Sequence, residues 1–268
     1  MTQDLDEMLV IAQQAVQYGT RQLSTRAVQQ ITAKGPGDVV TDLDLSIERD
    51  ILAVLAERTP AIGRFSEEAG GDRSTGRRWV LDPVDGSVNL AHGIPLYGVS
   101  LALVDGIRAL LGVISLPTLG RTYWGAAGLG AWCNDRRISP STVTSLSEAV
   151  IAIGDYGTGE GAAERNEVAV DLHAALATAA GKVRMLGSAA VDLVFAADGT
   201  VDASITLGNR DWDMAAGVAI AQAAGAVVTD TAGRPHDTTS RTTIVTAPGL
   251  TTPVISLLRE ITAGTGYA

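Results

Sequence analysis

Asp82 and Asp85 stand just past an apolar run, in the segment Trp79-Val80-Leu81-Asp82-Pro83-Val84-Asp85-Gly86-Ser87-Val88-Asn89-Leu90. Their spacing across Pro83 lets both carboxylates face one point if the backbone turns sharply there. The same turn would aim the Val84 carbonyl inward as a third oxygen. Hard divalent cations take carboxylate and carbonyl oxygens, and a Gly86-Ser87 step opening a helix offers free backbone N–H groups to an anion. The segment could therefore hold a metal and seat a phosphate. An ordinary solvated turn has the same composition, because Asp, Pro and Gly are all common in turns. Two further acid clusters share this ambiguity. Glu67 and Glu68 follow the apolar piece Ile62 to Phe65, and such a pair alone reads as surface charge. Asp211 and Asp213 open a small-residue segment, Met214-Ala215-Ala216-Gly217, where N-capping and the helix dipole would each account for an acid.

These residues need elements to hold them. Leu5, Met8, Leu9, Ala12, Ala15, Val16 and Leu23 recur at helical spacing and predict a first helix. Gly35-Pro36-Gly37 ends that helix or an irregular stretch after it. Thr41 or Asp42 caps a second helix that buries Ile47, Ile51, Val54 and Leu55. Short aliphatic segments near 62–66, 78–82, 98–104, 109–116 and 121–126 then predict strands, with a hairpin turn at Val104-Asp105-Gly106-Ile107. Beyond about residue 148, strands near 150–153, 182–185, 201–206, 226–228 and 242–246 alternate with Ala-rich helices. The expected organisation is residues 1–148, helices over an antiparallel sheet with most of the metal ligands, and residues 149–268, an α/β half carrying Asp213 and the recognition loops.

The chain has 268 residues, 46% of them hydrophobic and 19% charged, which fits a globular protein and excludes disorder. A net charge of −10 argues against nucleic-acid binding. An acidic protein that handles an anion needs local positive charge, and metal ions are the obvious source. One cysteine, Cys133, allows no internal disulfide and suits a reducing compartment. The amino terminus lacks the basic and apolar regions of a signal peptide, and no apolar run reaches membrane-spanning length. A cytoplasmic enzyme is the expectation.

Taken together, the acid clusters resemble the inositol monophosphatase family of magnesium-dependent, lithium-sensitive phosphatases. The resembling residues are Ser66-Glu67-Glu68, Trp79 to Ser87 and Trp212 to Gly217. Gly37 to Asp44, Gly130-Ala131-Trp132 with Asn134, and Gly187-Ser188-Ala189-Ala190 support them, so the match runs along essentially the whole chain. The resemblance implies a layered α-β-α-β-α sandwich of the sugar-phosphatase type, with an antiparallel N-terminal and a mixed C-terminal sheet. It implies two or three Mg²⁺ ions per subunit: one on Glu67, Asp82 and the Val84 carbonyl, a second on Asp82, Asp85 and Asp213, and a third, weaker one in the vicinity of Asp44. Glu67 and Ser87 would orient and activate the attacking water, and the N–H groups of Gly86 and Ser87 would receive phosphate oxygens. Gly187, Ser188 and Ala189, with Asp85 and Asp213, would meet the substrate. A homodimer acting on a small phosphorylated metabolite, with no nucleic-acid or membrane partner, completes the expectation.

The chain departs from the family pattern at three places. Ser87 stands where threonine is more frequent, with the hydroxyl kept. No glutamate occurs from Ile205 to Asp211, where inositol-specific members grip inositol hydroxyls; Thr206 takes that position, and Asn209, Arg210 or Asp211 could substitute for it. Asp38 and Asp42 add acids around Asp44. Inositol 1-phosphate is the leading expected substrate, with histidinol phosphate, fructose 1,6-bisphosphate and 3′-phosphoadenosine 5′-phosphate as alternatives. For a bisphosphate, the available cations are Lys182, Arg184 and Arg210. A regulatory module that binds metal or phosphate without turnover is the reading from another class. An aspartyl-nucleophile phosphatase needs D-x-D, whereas this chain has D-x-x-D. His92, His173 and His236 form no pair with zinc spacing.

Overall fold

The computed structural model describes every residue except Met1, Asp72, Ser74, Thr75, Glu160 and Asn209. The chain opens with α1 (Thr2–Thr25), a hairpin of β1 (Ile31–Gly35) and β2 (Asp38–Thr41), and α2 (Asp42–Arg58). Next come β3 (Gly63–Ser66), β4 (Gly70–Gly71), β5 (Arg77–Asp85), the short α3 (Ser87–His92), β6 (Gly98–Asp105), β7 (Arg108–Leu116), β8 (Arg121–Ala126), β9 (Gly130–Cys133) and β10 (Arg136–Arg137). These strands from β3 onward form one sheet in the order β10-β9-β8-β7-β6-β5-β3-β4. It is antiparallel apart from the parallel pair β3–β5, which brings the end of β3 beside the end of β5.

The remaining elements are β11 (Val150–Ile153), α4 (Ala162–Ala179), β12 (Lys182–Arg184), α5 (Ala189–Asp198), β13 (Ala203–Leu207), α6 (Asp211–Ala224), β14 (Val227–Thr229), β15 (Thr242–Thr246) and α7 (Thr251–Thr262). Their five strands form a mixed sheet, β12-β11-β13-β15-β14, with β11 parallel to β12 and β13 and β15 antiparallel to its neighbours.

Side-chain alternation along the strands assembles the layers. In β5 and β6, Trp79, Leu81, Val99, Leu101 and Leu103 pack against α1 and α2. Val80, Ala102 and Val104 point the other way, into a core shared with α5 and α6. The smaller sheet covers the far side of that core through Ala152 and Val245, and turns Ile151, Ile153, Ala203 and Ile205 toward α4 and α7. The result is the five-layered α-β-α-β-α sandwich.

Asp82 shares the parity of Val80 and so faces the α5/α6 layer. A register irregularity between Asp82 and Asp85 follows, and Val84 packs on the opposite side with α1 and α2. Pro83 thus marks the sharp turn that the spacing of the two aspartates requires.

Small residues bring α6 unusually close to its neighbours. A Cβ on Gly112 of β7 would lie 2.2 Å from the Ala216 carbonyl oxygen, and one on Gly217 would lie 2.5 Å from Leu193 Cβ. Gly112→Ala must therefore push α6 away from the sheet. It is expected to cost about 3 kcal/mol in urea unfolding, at the upper end for overpacking, and to lower activity by displacing Asp213.

The structure revises several expectations. Gly35 to Gly37 does not end a helix or an irregular stretch; Pro36 and Gly37 form the turn of the β1–β2 hairpin. Thr41, rather than Asp42, caps α2, in a reciprocal capping box with Asp44. Arg78, in β5, is buried and donates to the Gly106 carbonyl.

His236, between β14 and β15, has Nε2 2.8 Å from Thr243 Oγ1, and burial lowers its pKa from 6.5 to about 4. The unfolded chain therefore takes up this proton at a higher pH than the folded protein. The resulting stability is complete above pH 6.5 and is lost as pH falls toward 4, up to about 3 kcal/mol. Urea unfolding at pH 7 and pH 4.5 should show this loss in the wild type, relative to His236→Gln.

Candidate active site

Asp82 and Asp85 at the end of β5 meet Asp213 in the first turn of α6. One carboxylate oxygen from each lies within 4.8 Å of the others. Asp82 and Asp85 are buried, and Asp213 is partly exposed. Burial, reinforced by neighbouring negative charge, raises Asp82 and Asp213 well above the usual carboxylate range and Asp85 to about 6.

The acids are held individually. Asp82 Oδ1 accepts the Val84 N–H at 3.0 Å. Asp85 accepts the Ser188 hydroxyl and faces the backbone N–H groups of Ala189 and Ala190 at the start of α5. Ser188 is also the N-cap of α5, accepting the Val191 N–H at 3.2 Å, so a single side chain fixes both the helix and the aspartate. Gly86 must be glycine: its φ is +86°, and a Cβ would lie 2.9 Å from the Leu96 carbonyl oxygen.

Ser87, the first residue of α3, has Oγ 2.6 Å from Asp44 Oδ1 and 2.8 Å from the Val84 carbonyl oxygen. Asp44 is fully buried, and its Oδ2 accepts both the backbone N–H and the hydroxyl of Thr41. Burial raises its pKa, against these hydrogen bonds. Its oxygens are thus engaged by Thr41 and Ser87.

Glu67 also faces the cleft, and its charge acts on Asp82, Asp85 and Asp213. It lies outside the three-aspartate cluster and is ion-paired instead. Lys34 Nζ, on the β1–β2 hairpin, is 2.8 Å from Glu67 Oε1 and 2.7 Å from Glu68 Oε1. Nothing in the spacing singled out Lys34, although the alternating residues on either side of Pro36-Gly37 could have signalled a hairpin.

The cleft, of about 270 Å³, is lined by Asp38, Glu67, Asp82, Asp85, Gly86, Ser87, Gly187, Ser188, Ala189 and Asp213 among others. Residues before and after position 148 therefore meet there. Asp38 lines it, whereas Asp42 turns away to accept the Gln29 and Gln30 N–H groups. Arg210 and Thr206 line it too. Asp211 instead lies 3.9 Å from Arg78, and Asn209 is outside the described residues. Lys182 and Arg184 are exposed on the edge strand β12 and do not line the cleft. The basic residue that does, besides Arg210, is Arg165 of α4. It occupies the stripe of Val168, Ala169 and Leu172, so an arginine at an apolar-periodic position was a signal within reach of the sequence.

An all-oxygen donor set with this much concentrated negative charge suits a hard divalent cation and the anion such a cation attracts. The comparisons agree with that chemistry. The profile described as "Inositol monophosphatase family" matches residues 4–263. An inositol-1-monophosphatase of Mesorhizobium japonicum is 38% identical over 206 residues, covering 76% of each chain. A fructose-1,6-bisphosphatase/inositol-1-monophosphatase of Thermotoga maritima is 32% identical over 225 residues, covering 84% of each. The crystal structure of the extragenic suppressor protein SuhB from Bartonella henselae superimposes with a TM-score of 0.86 at 29% identity, over 93% of this chain and 97% of that one. With the profile spanning nearly every element that builds the cleft, the chain belongs to the inositol monophosphatase family and is a phosphoric monoester hydrolase.

Proposed function

We propose that this protein hydrolyses the phosphate ester of a small polyol with Mg²⁺, by direct attack of water and without a phosphoenzyme. The observation that carries the reading is the convergence of Asp82, Asp85 and Asp213 within 4.8 Å at the floor of one cleft. Three buried or half-buried acids whose proton affinities are raised by burial and by neighbouring negative charge, that of Glu67 included, form a site that a divalent cation would stabilise. Asp82, Asp85 and Asp213 would hold one ion, and Glu67, Asp82 and the Val84 carbonyl another; a third is part of the family expectation. When bound, such ions neutralise phosphoryl charge and make water more acidic.

The chain's own residues do the positioning. Gly86 begins α3 in a left-handed conformation with no side-chain cap, leaving the N–H groups of Gly86 and Ser87 for phosphate oxygens. Ser87 Oγ, donating to Asp44, keeps its lone pairs for the water's hydrogen, and Glu67 takes the other side of that water. Thr41 fixes Asp44 and so fixes the Ser87 rotamer. Ser188 and the start of α5 hold Asp85 toward the phosphate and place Gly187, Ser188 and Ala189 along the alcohol.

The names of the curated relatives make inositol 1-phosphate the reference substrate, and the Thermotoga maritima relative brings in fructose 1,6-bisphosphate. Rapid acid quench during turnover should trap no phosphorylated protein; a phospho-aspartate at Asp82 would overturn the mechanism. Lithium at submillimolar to millimolar levels should inhibit phosphate release, and indifference to it would count against the ion assignment. A homodimer belongs to the same reading, and sedimentation velocity would test it. Among the described residues, no helix is long and apolar enough to cross a membrane.

A further inference from the structure

Past the aspartate cluster, the cleft wall is formed where β11 and β13 end. These strands are parallel neighbours whose chains leave in opposite directions: β11 continues through α4 to β12 on one side, and β13 through α6 toward β14 and β15 on the other. Such divergence opens a crevice at the carboxyl ends of the strands, the place where open α/β sheets bind ligands. Gly154, Asp155 and Tyr156 line it from one strand end, and Thr206, Leu207 and Gly208 from the other.

Three solvent-shielded polar atoms on residues lining this cleft have no hydrogen-bond partner among the described residues: Asp192 Oδ1, Thr206 Oγ1 and Arg165 Nε. Asp192 is only 2% exposed and Thr206 8%. Buried polar atoms are nearly always hydrogen-bonded, so three unsatisfied ones on residues that line a single cleft point to a ligand that engages those residues.

Arg165 is seated with particular care. A Cβ on Gly157 would lie 1.8 Å from its Nη2, and one on Gly208 would lie 2.6 Å from its Nη1, so two glycines make room for the guanidinium. No carboxylate among the described residues forms an ion pair with it. Arg210, the other arginine lining the cleft, lies 5.7 Å from the Trp212 ring and acts electrostatically on Asp213. A guanidinium given room by two glycines and without an acidic partner among the described residues is suited to a planar or tetrahedral anion, which it can grip through two parallel hydrogen bonds. Asp192 and Asp155, which burial holds above the usual carboxylate range, call instead for hydroxyl partners.

We propose that Arg165 is a specificity-determining residue that receives a second anionic group on the alcohol portion of the substrate, while hydroxyls of that alcohol satisfy Asp192 Oδ1 and Thr206 Oγ1. Within the polyol phosphates, the preferred class is then one bearing a second phosphate or a carboxylate. The inference rests on the phosphomonoesterase reading above.

The test uses the full chain with Mg²⁺ and two matched substrate pairs. Fructose 1,6-bisphosphate against fructose 1-phosphate probes a second phosphate, and 3-phosphoglycerate against glycerol 3-phosphate probes a carboxylate. The doubly anionic member of at least one pair should have a kcat/KM higher by roughly ten- to a hundredfold, the range of one charge-assisted contact. Arg165→Gln should erase that gap through KM with kcat retained, and Arg165→Lys should restore part of it. In both variants kcat/KM for the singly phosphorylated neutral alcohols should change far less than for the doubly anionic esters, and thermal unfolding close to that of the wild type reports that they fold. Equal kcat/KM within both pairs, or a preference that Arg165→Gln leaves in place, overturns the role of Arg165 and leaves the phosphatase reading standing. Failure to hydrolyse any of the four esters overturns that reading and the proposal with it.

Discussion

Asp213→Asn lowers Mg²⁺-dependent phosphate release by about a hundred- to a thousandfold or more, the scale of losing one preorganised electrostatic element of an active site. Asp213 is the acid supplied by α6, and without it the cluster retains only the two carboxylates of β5. The substitution is nearly isosteric and leaves the close packing of Met214 to Gly217 untouched. Metal-free stability should therefore be equal or higher, since one of several mutually repelling charges is gone. Wild-type protein should gain about 2.7 kcal/mol when Mg²⁺ reaches a hundred times its Kd, and the variant should lose most of that gain at the same concentration. Thermal unfolding with and without Mg²⁺ measures the second effect independently of turnover. Near-normal activity in Asp213→Asn would remove the residue from the site.

Ser87→Ala is the second large effect. Among the described residues, Ser87 Oγ is the hydrogen-bond link between the buried Asp44 and the lining of the cleft. Its removal should lower kcat by about a hundred- to a thousandfold, the usual contribution of a positioned proton-handling group, with little change in KM. It also takes a donor from a carboxylate with no access to solvent, at a cost of about 1–3 kcal/mol. Ser87→Thr keeps the hydroxyl and should keep both activity and stability. That pair of variants, followed by steady-state kinetics and urea unfolding, separates the hydroxyl's role from simple packing of α3.

Period and composition made most of the architecture legible. The apolar stripe of α1, the alternation in β5 to β8 and the Ala-rich α6 each follow from local chemistry. So did the meeting of Asp82 and Asp85, because Pro83 and two residues of spacing leave little else for the backbone to do. What lies beyond local reading is tertiary. The Lys34 bridge joins a hairpin to a residue thirty-three positions away, and that partnership exists only once β1–β2 reaches the segment that follows β3. The Asp44–Ser87 hydrogen bond spans forty-three positions and leaves no mark on either neighbourhood. Arg165 was hidden differently. Its place on the buried stripe of α4 was visible, but the two glycines that seat it come from separate loops. Lys182 and Arg184 show the converse: basic residues that looked available lie on an edge strand facing solvent.

The central claim is that the aspartates of β5 and α6 form the cation site of a phosphomonoesterase. Protein stripped with EDTA and assayed for phosphate release from inositol 1-phosphate, fructose 1,6-bisphosphate and glycerol 3-phosphate, while Mg²⁺ is titrated back, tests it most directly. The account predicts negligible release before Mg²⁺ is added and saturable release afterwards on at least one ester. Release that is undiminished in EDTA, or none on any ester at saturating Mg²⁺, would contradict it.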